Sequence, residues 1–220
     1  MTWTTPDQMT LDELRVALGR VLPGHAVFDG WTATALAAAA DELGVPPDRA
    51  RLAFPGGAGE MIDAWILSAD ADMTASIEAR RDGMKVRERI RESIWTRLEQ
   101  AAPHREAVRR AVAILAMPQN ALLAARTLWR TADAIWRAAG DGAADFSHYT
   151  KRATAGAVYS ATLLVWLNDE SEGFADTAAF LDRRIENVMR FEKAKQRWRR
   201  TAERRPSPAR FLGRLRYPAA

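Results

Sequence analysis

Residues 33–66 read ATALAAAADELGVPPDRARLAFPGGAGEMIDAWI, and this stretch sets the expected fold. The alanine-rich run predicts a helix that ends at Gly44, because glycine readily takes the left-handed conformation that follows many helices. A short helix then begins near Pro47, since proline suits the first helical turn. The turn PGGAGE opens a longer helix over the residues that follow. The order is therefore helix, turn, short helix, turn, long helix.

This order of helices resembles the amino-terminal domain of tetracycline-repressor (TetR) type regulators. The residues themselves suit a DNA reader poorly. Residues 29–64 hold two arginines, Arg49 and Arg51, against six acidic residues, whereas a duplex-binding surface is expected to carry a basic patch. The second helix also lacks the Lys, Asn, Gln, Ser and Thr side chains that contact phosphates and bases. We therefore expect a degenerate helix-turn-helix and no nucleic-acid partner.

The rest of the chain is also expected to be helical, because its apolar residues recur at helical spacing and no convincing strand alternation is present. The expected class is all-α, with about nine or ten helices in a TetR-like bundle. The first helix is expected over residues 11–21. It should end before Pro23, because proline interrupts a helix interior.

The composition limits the possible classes of protein. The chain has 220 residues and no cysteine, with 27% charged and 48% hydrophobic residues, which is typical of a globular domain with one sizeable core. The absence of cysteine excludes disulfides and thiolate chemistry. No segment reaches the roughly 18 apolar residues that a membrane-spanning helix needs. The amino terminus is similar to neither a signal nor a transit peptide, so we expect a soluble or peripheral protein.

Positive charge is concentrated at the carboxyl terminus, where residues 190–220 hold eleven basic and two acidic residues. Such a tail predicts an anionic partner surface, either nucleic acid or phospholipid. In residues 209–217, ARFLGRLRY, apolar and basic side chains can lie on opposite faces of a short helix. This helix is marginal alone in water, which favours a membrane surface over a solvated tail or a strap on the protein's own body. The candidate membrane-binding residues are Arg210, Phe211, Leu212, Arg214, Leu215 and Arg216.

Two neighbouring helices carry large aromatic side chains seven residues apart: Trp129 and Trp136 on one, Tyr159 and Trp166 on the other. The second helix is uncharged from Ala153 to Leu167. A helix that is apolar nearly all round is buried, lines a cavity or faces a partner, and plain core packing remains an equal alternative. On the cavity interpretation we expect a pocket without charges. Its candidate lining residues are Leu115, Leu122, Trp129, Ile135, Trp136, Tyr159, Leu163 and Trp166.

No pattern in the sequence favours catalysis. The three histidines, His25, His104 and His148, have no partner at metal-ligand spacing. A nucleophile elbow is missing, and PGGAGE lacks the Lys-Ser/Thr of a nucleotide-binding loop. We expect neither metal nor cofactor, and no enzymatic activity.

Several segments together resemble the ubiquinone-biosynthesis accessory family called "coenzyme Q nine", in its bacterial form. They are FDGWT, ALAAAADELGV, RLAFPGG, TADAIWRAAGD, DFSHYTKRA, VYSATLLVWLND, FLDRRIENVMRFEKAK and PARFLGRLRYPA. The resemblance implies a TetR-like homodimer that binds isoprenoid quinone intermediates or phospholipids in an apolar pocket. It also implies a carboxyl-terminal helix on the membrane and support of the di-iron hydroxylase that acts on demethoxyubiquinone.

The resemblance also implies a patch that contacts the hydroxylase. The candidate partner-binding residues are Asp145, Phe146, His148, Tyr149 and Arg152. The family commonly carries Asn and Trp where this chain has Ser147 and His148, so the contact is expected to be weaker or differently shaped.

These observations lead to one expected function and one alternative. The first is a non-catalytic lipid-binding accessory protein of ubiquinone biosynthesis, cytoplasmic and peripheral on the inner face of the bacterial membrane. The alternative is a TetR-like transcription regulator with an apolar effector. The expected organisation is a helical arm (residues 1–26), one domain (27–205) with a degenerate helix-turn-helix region (27–80) and a lipid-binding region (84–205), and a basic amphipathic tail (206–220).

Overall fold

The computed structural model describes residues 8–140 and 147–203, and these residues form helices, turns and no strands. The predicted all-α class is confirmed, and the nine α-helices in the described residues come close to the expected nine or ten. They are α1 (Leu11–Asp29), α2 (Ala33–Glu42), α3 (Pro47–Ala53), α4 (Ala58–Glu78), α5 (Val86–Ala101), α6 (Arg105–Leu115), α7 (Ala121–Ala138), α8 (Ser147–Trp166) and α9 (Ala175–Glu203). Short 3-10 helices occupy Ala102–His104, Pro118–Asn120 and Glu172–Phe174.

The first helix differs from the expectation, because it continues through Pro23 to Asp29. The reason is a stripe that repeats at every fourth residue and is fully buried: Leu14, Leu18, Leu22 and Ala26. Burying the larger of these side chains stabilises the helix by about 1.5–3 kcal/mol each. Together they outweigh the roughly 3 kcal/mol that an interior proline costs. The expected boundary at residue 26 therefore falls inside α1.

The contact between α1 and α4 is close enough to require glycine. A Cβ atom on Gly19 would lie 2.9 Å from the backbone carbonyl carbon of Ala64. Real Cβ atoms do not approach backbone so closely, so this position accepts no larger residue without movement of one helix. Gly19 thus fixes the distance between the two helices.

The α2–α3 pair follows the sequence pattern. The side chain of Thr32 caps the amino terminus of α2, and Gly44 beyond its other end has φ +65°. Next to this pair, the ring of Trp31 lies 5.5 Å from that of Trp65 on α4. Trp31 Nε1 also donates a 2.9 Å hydrogen bond to the carbonyl of Ala107 on α6. Trp31, between α1 and α2, therefore adds contacts to α4 and α6 beside the direct packing of α1 on α4.

The end of α8 is held by α6 and by a carboxylate. Arg105 Nη2 donates to the carbonyls of Trp166 and Asp169, each at 2.6 Å. The carboxylate of Asp169 then accepts hydrogen bonds from the backbone and hydroxyl groups of both Ser171 and Thr177, at 2.5–2.8 Å. These bonds set the turn from α8 into α9.

The described chain divides into two compact units, the first ending at Leu181 and the second beginning at Asp182. The domain boundary expected at residue 205 stays a prediction. In the second unit, Arg190 Nη2 and Glu186 Oε1 form an exposed ion pair of 2.6 Å. Across the described ranges, no single helix is long and apolar enough to cross a bilayer. The pair Val86–Leu115 and Pro118–Ala138, bent by 92°, meets that test only jointly.

Candidate ligand-binding site

Two adjacent cavities lie in the first unit, with volumes of about 220 and 110 Å³. Both cavities are lined by the same five residues, Trp65, Arg97, Val108, Tyr159 and Leu163. These residues come from α4, α5, α6 and α8. The shared wall therefore lies where those four helices approach one another.

The larger cavity extends towards α1. Arg20 and Pro23 of α1 line it, together with His104 before α6. Arg20 Nη2 and Asp72 Oδ1 form an ion pair of 2.8 Å, and both side chains are about half exposed. This pair therefore marks the solvent side of the cavity. Burial lowers the pKa of His104, which favours its neutral form.

The smaller cavity extends towards α7 and is mainly apolar. Ile66, Val112, Leu115 and Leu128 contribute aliphatic side chains to its wall. Thr131 adds a hydroxyl group, which donates a 3.0 Å hydrogen bond to Asp70 Oδ2. An apolar wall with a few fixed polar groups is typical of ligand-binding cavities.

The expectation of a pocket without charges is wrong. Arg97 is only 4% exposed and lines both cavities. Its Nε donates a 3.0 Å hydrogen bond to the hydroxyl of Tyr159, and its Nη1 lies 3.0 Å from Asp70 Oδ1. The helical pattern of α5 had suggested only the apolar residues on its buried side. The missed signal was Asp70, an acidic residue in a long apolar helix that demands a buried cation.

Burial shifts the pKa values of Asp70 and Arg97 in opposite directions. Burial raises the pKa of Asp70, and Arg97 and Thr131 only partly offset that shift. Burial lowers the pKa of Arg97. The combined effect of Asp70 and Tyr159 raises this pKa by more than burial lowers it, so the net shift is upward. The guanidinium group is therefore a cation in the wall of the cavities.

The structure brings three of the eight expected lining residues to the cavities: Leu115, Tyr159 and Leu163. Leu122 is instead 84% exposed and Trp129 39% exposed. The seven-residue spacing placed Leu122 and Trp129 on one face but could not tell which face is buried. The buried residues of α7 are Thr127, Thr131, Ala132, Ala134, Ile135 and Ala138.

The other three expected lining residues pack elsewhere. Ile135 and Trp166 are fully buried in helix contacts away from the cavities. Trp136 Nε1 donates a 2.8 Å hydrogen bond to the carbonyl of Lys151. The Lys151 ammonium group lies 5.4 Å from the centre of the Trp136 ring. For these residues core packing, the other interpretation of the sequence, describes the structure. The sequence pattern also missed Trp65 and Val108, because all the candidates except Leu115 came from the two aromatic helices.

An exposed aromatic patch, consisting of Trp129, His148 and Tyr149, lies where α8 begins beside α7. The ring centre of Tyr149 lies 5.9 Å from that of Trp129 and 5.3 Å from that of His148. Tyr149 is 64% and Trp129 39% exposed, while His148 is half-buried. Clustered exposed aromatic rings are typical of protein interfaces.

The other expected partner-binding residues lie elsewhere. Arg152 is 3% exposed, and its Nε donates a 2.6 Å hydrogen bond to Asp133 Oδ1. It is therefore a buried link between α8 and α7 rather than a surface contact. The spacing alone could not reveal this burial, because an arginine near a helix start is usually solvated. Asp145 and Phe146 lie outside the described residues, as do the expected membrane-binding residues 210–216.

The helix-turn-helix region directs its basic side chains to the protein itself. Arg49 donates to the carbonyl of Met9, and Arg51 Nη1 forms a 2.8 Å ion pair with Asp48. Leu52 of the same short helix is 63% exposed. Of these two arginines, Arg51 is the one with a mostly exposed side chain, 70%, and an exposed carboxylate lies beside it. Within residues 8–140 and 147–203, no three acidic or histidine side chains converge to hold a metal ion.

Known proteins are similar to this chain in sequence and in structure. Residues 121–192 match the family described as COQ9. The ubiquinone biosynthesis protein COQ9, mitochondrial, of Rattus norvegicus is 32% identical over 83% of this chain and 59% of that protein. The protein of the same name from Homo sapiens is 30% identical over 83% of this chain and 58% of its own length. The chain thus spans under two thirds of these relatives.

The fold has a solved counterpart. The crystal structure of the TetR transcriptional regulator from Nitrosomonas europaea ATCC 19718 superposes with a TM-score of 0.62 at 27% identity. The match covers 79% of this chain and 96% of the regulator. The expected TetR-like fold is therefore confirmed.

Proposed function

Since this chain belongs to the COQ9 family, we propose that it serves ubiquinone biosynthesis as a non-catalytic protein that binds an isoprenoid quinone intermediate or a phospholipid. The single observation that carries this proposal is the pair of mainly apolar cavities. Their combined volume lies at the lower end of the roughly 300–1,000 Å³ typical of ligand pockets. Binding an isoprenoid chain there gains about 25 cal/mol for each Å² of apolar surface removed from water.

The exposed aromatic patch and the basic tail extend the proposal. Trp129, His148 and Tyr149 form the docking site for the di-iron demethoxyubiquinone hydroxylase, because aromatic side chains supply much of the energy of protein interfaces. Residues 209–217 place the protein, as a homodimer, on an anionic membrane surface. In a bacterium this surface is the inner face of the cytoplasmic membrane.

The proposal is tested by filling the cavities. Leu163 lines both cavities, whereas its neighbour Leu164 is 54% exposed. We expect lipids extracted from the purified protein, identified by mass spectrometry, to disappear in Leu163→Trp and to persist in the control Leu164→Trp. A lipid-free wild-type protein, or equal lipid in both variants, would overturn the proposal. If Leu163→Trp does not fold, Leu163→Ala should increase the lipid retained or lengthen its chain.

Membrane association has its own test. The full chain should float with anionic liposomes, and a chain ending at Arg205 should not. Equal flotation of both chains would remove the tail from the proposal.

A transcription regulator with an apolar effector is the second candidate, and the likeness to the TetR regulator favours it. Sequence-selective DNA binding that weakens steeply with salt would support this candidate. The excess of acidic over basic residues across residues 29–64 is the observation against it.

A further inference from the structure

Arg97 holds a position that packing alone does not require. It is a charged residue, 4% exposed, in the shared wall of both cavities. A buried ion pair is often no more stabilising than apolar side chains of the same volume, because both charges lose their hydration. The pair of Arg97 and Asp70 therefore places a polar group at the cavities that packing alone would not supply.

The hydrogen-bonding groups of Arg97 are only partly used by the protein. Nε donates to the hydroxyl of Tyr159, and Nη1 faces Asp70. A guanidinium group has five N–H donors, and because Arg97 lines both cavities, the donors beyond these two contacts can serve a ligand there. Because the hydroxyl of Tyr159 accepts from Arg97, its own hydrogen is also available as a donor. Two donors therefore converge at the shared wall.

The charged residues that line the two cavities are Arg20, Asp72 and Arg97. Arg20 and Asp72 pair with each other at 2.8 Å on the solvent side. The carboxylate that pairs with Arg97, at 3.0 Å, belongs to Asp70, which lines neither cavity. The guanidinium group of Arg97 is therefore the charge that the shared wall presents, and low-dielectric surroundings strengthen its attraction for an anionic group.

The groups beside the donors are apolar. Trp65, Val108 and Leu163 complete the shared wall. A ligand that satisfies both parts needs an anionic oxygen group at one end and an apolar chain at the other.

We infer that Arg97 and Tyr159 bind the head group of an amphiphile that carries an anionic oxygen group, as in a carboxylate or a phosphate ester, while the apolar chain fills the cavities. This inference rests on the proposed function, since it assumes that the cavities hold a lipid. Arg97 and Tyr159 then determine specificity: they select an anionic head group over a neutral one.

Three ligands with the same alkyl chain test the inference: dodecanoate, dodecyl phosphate and dodecanol. Calorimetric titration of the full chain should show that at least one of the anions binds about tenfold or more tighter than the alcohol, the effect expected of a charge-assisted hydrogen bond. Preference for dodecanoate alone assigns a carboxylate, and preference for dodecyl phosphate alone assigns a phosphate ester. Both results support the inference.

Variants separate recognition from folding. In Arg97→Met the preference should fall to about twofold or less while dodecanol still binds, because one charge-assisted interaction is lost. The control is Arg51→Met, which removes a mostly exposed arginine that lines neither cavity and should keep the preference. If Arg97→Met does not fold, Tyr159→Phe is the deciding variant, since it removes one hydrogen-bond donor and retains the charge of Arg97. Its preference for the anionic ligand over dodecanol should fall at least about threefold.

The outcomes are distinguishable. Equal binding of all three ligands to the wild-type protein would overturn this inference and leave the proposed lipid binding intact. A full preference retained by Arg97→Met or by Tyr159→Phe would overturn it as well. Binding of none of the ligands would overturn the proposed function and this inference together.

Discussion

Arg152 Nε donates a 2.6 Å hydrogen bond to Asp133 Oδ1 and so joins α8 to α7 next to the exposed aromatic patch. Asp133 also pairs with Arg137 on its own helix, at 2.8 Å. The two arginines differ in burial, since the Arg152 side chain is 3% exposed and that of Arg137 is 64% exposed. One carboxylate therefore serves a buried contact between helices and a solvated contact within one helix.

Arg152→Gln should destabilise the protein, because it removes the buried cation that joins α8 to Asp133 of α7. Asp133 is 25% exposed and keeps Arg137 as a partner, so we expect the free energy of unfolding to fall by about 1–3 kcal/mol. The control Arg137→Gln should change it by about 0.5 kcal/mol or less, as for other exposed pairs. Urea denaturation measures both, and equal losses would contradict the assignment of Arg152 as the structural residue.

Gly19→Ala should destabilise the contact between α1 and α4. A Cβ at this position lies 2.9 Å from the Ala64 backbone, and such overpacking typically costs about 1–3 kcal/mol. In Gly24→Ala, on the same helix, the nearest atom is His104 Cε1 at 3.8 Å. That substitution should stabilise the helix by roughly 0.5–1 kcal/mol. Thermal denaturation should therefore show shifts of opposite sign, and a rise in both melting temperatures would refute the close contact.

The turn after α8 should depend on pH through Asp169. Burial raises the pKa of this carboxyl group, but the hydrogen bonds from Ser171 and Thr177 together outweigh burial and leave the pKa well below its usual range. A depressed pKa stabilises the fold above the ordinary carboxyl pKa of about 4, and this contribution is lost as the pH falls through the folded-state value.

Asp169→Asn should therefore lower the free energy of unfolding by about 1.5–3 kcal/mol at pH 7. The gap from the wild type should narrow as the pH falls below about 4. Glu170→Gln is the control, because Glu170 is the exposed neighbour. Urea titrations at several pH values provide the measurement. A gap that stays constant down to low pH would show that the carboxylate charge contributes nothing.

Tyr149→Ala should affect the partner rather than the fold. The side chain is 64% exposed, so the free energy of unfolding should change by about 0.5 kcal/mol or less. Binding of the proposed hydroxylase should weaken by about thirtyfold, which corresponds to the roughly 2 kcal/mol lost at an interface hot spot. Thr150→Ala, at the next exposed position, should leave binding unchanged. Surface plasmon resonance with both purified proteins would detect the difference, and unchanged binding in Tyr149→Ala would remove the patch from the interface.

The helix order could be predicted because local residues decide it. Thr32 and Gly44 bound α2 through capping and through a positive φ, and both signals are visible in the sequence. The end of α1 could not be predicted, since the outcome at Pro23 depends on tertiary burial of the residues around it. The same limit explains Trp129 and Arg97. Periodicity groups residues on a face, but only packing decides whether that face meets solvent, a neighbouring helix or a cavity.

The stacking of Trp31 on Trp65 gives the molecule an intrinsic optical reporter. Two indole rings 5.5 Å apart couple their electronic transitions, and one of them, Trp65, belongs to the wall of both cavities. A ligand that touches Trp65 alters the geometry or polarity around the coupled pair. Cavity occupancy should therefore be visible as a change in near-ultraviolet circular dichroism, without any label, and Trp31→Phe should diminish that signal while the ligand still binds.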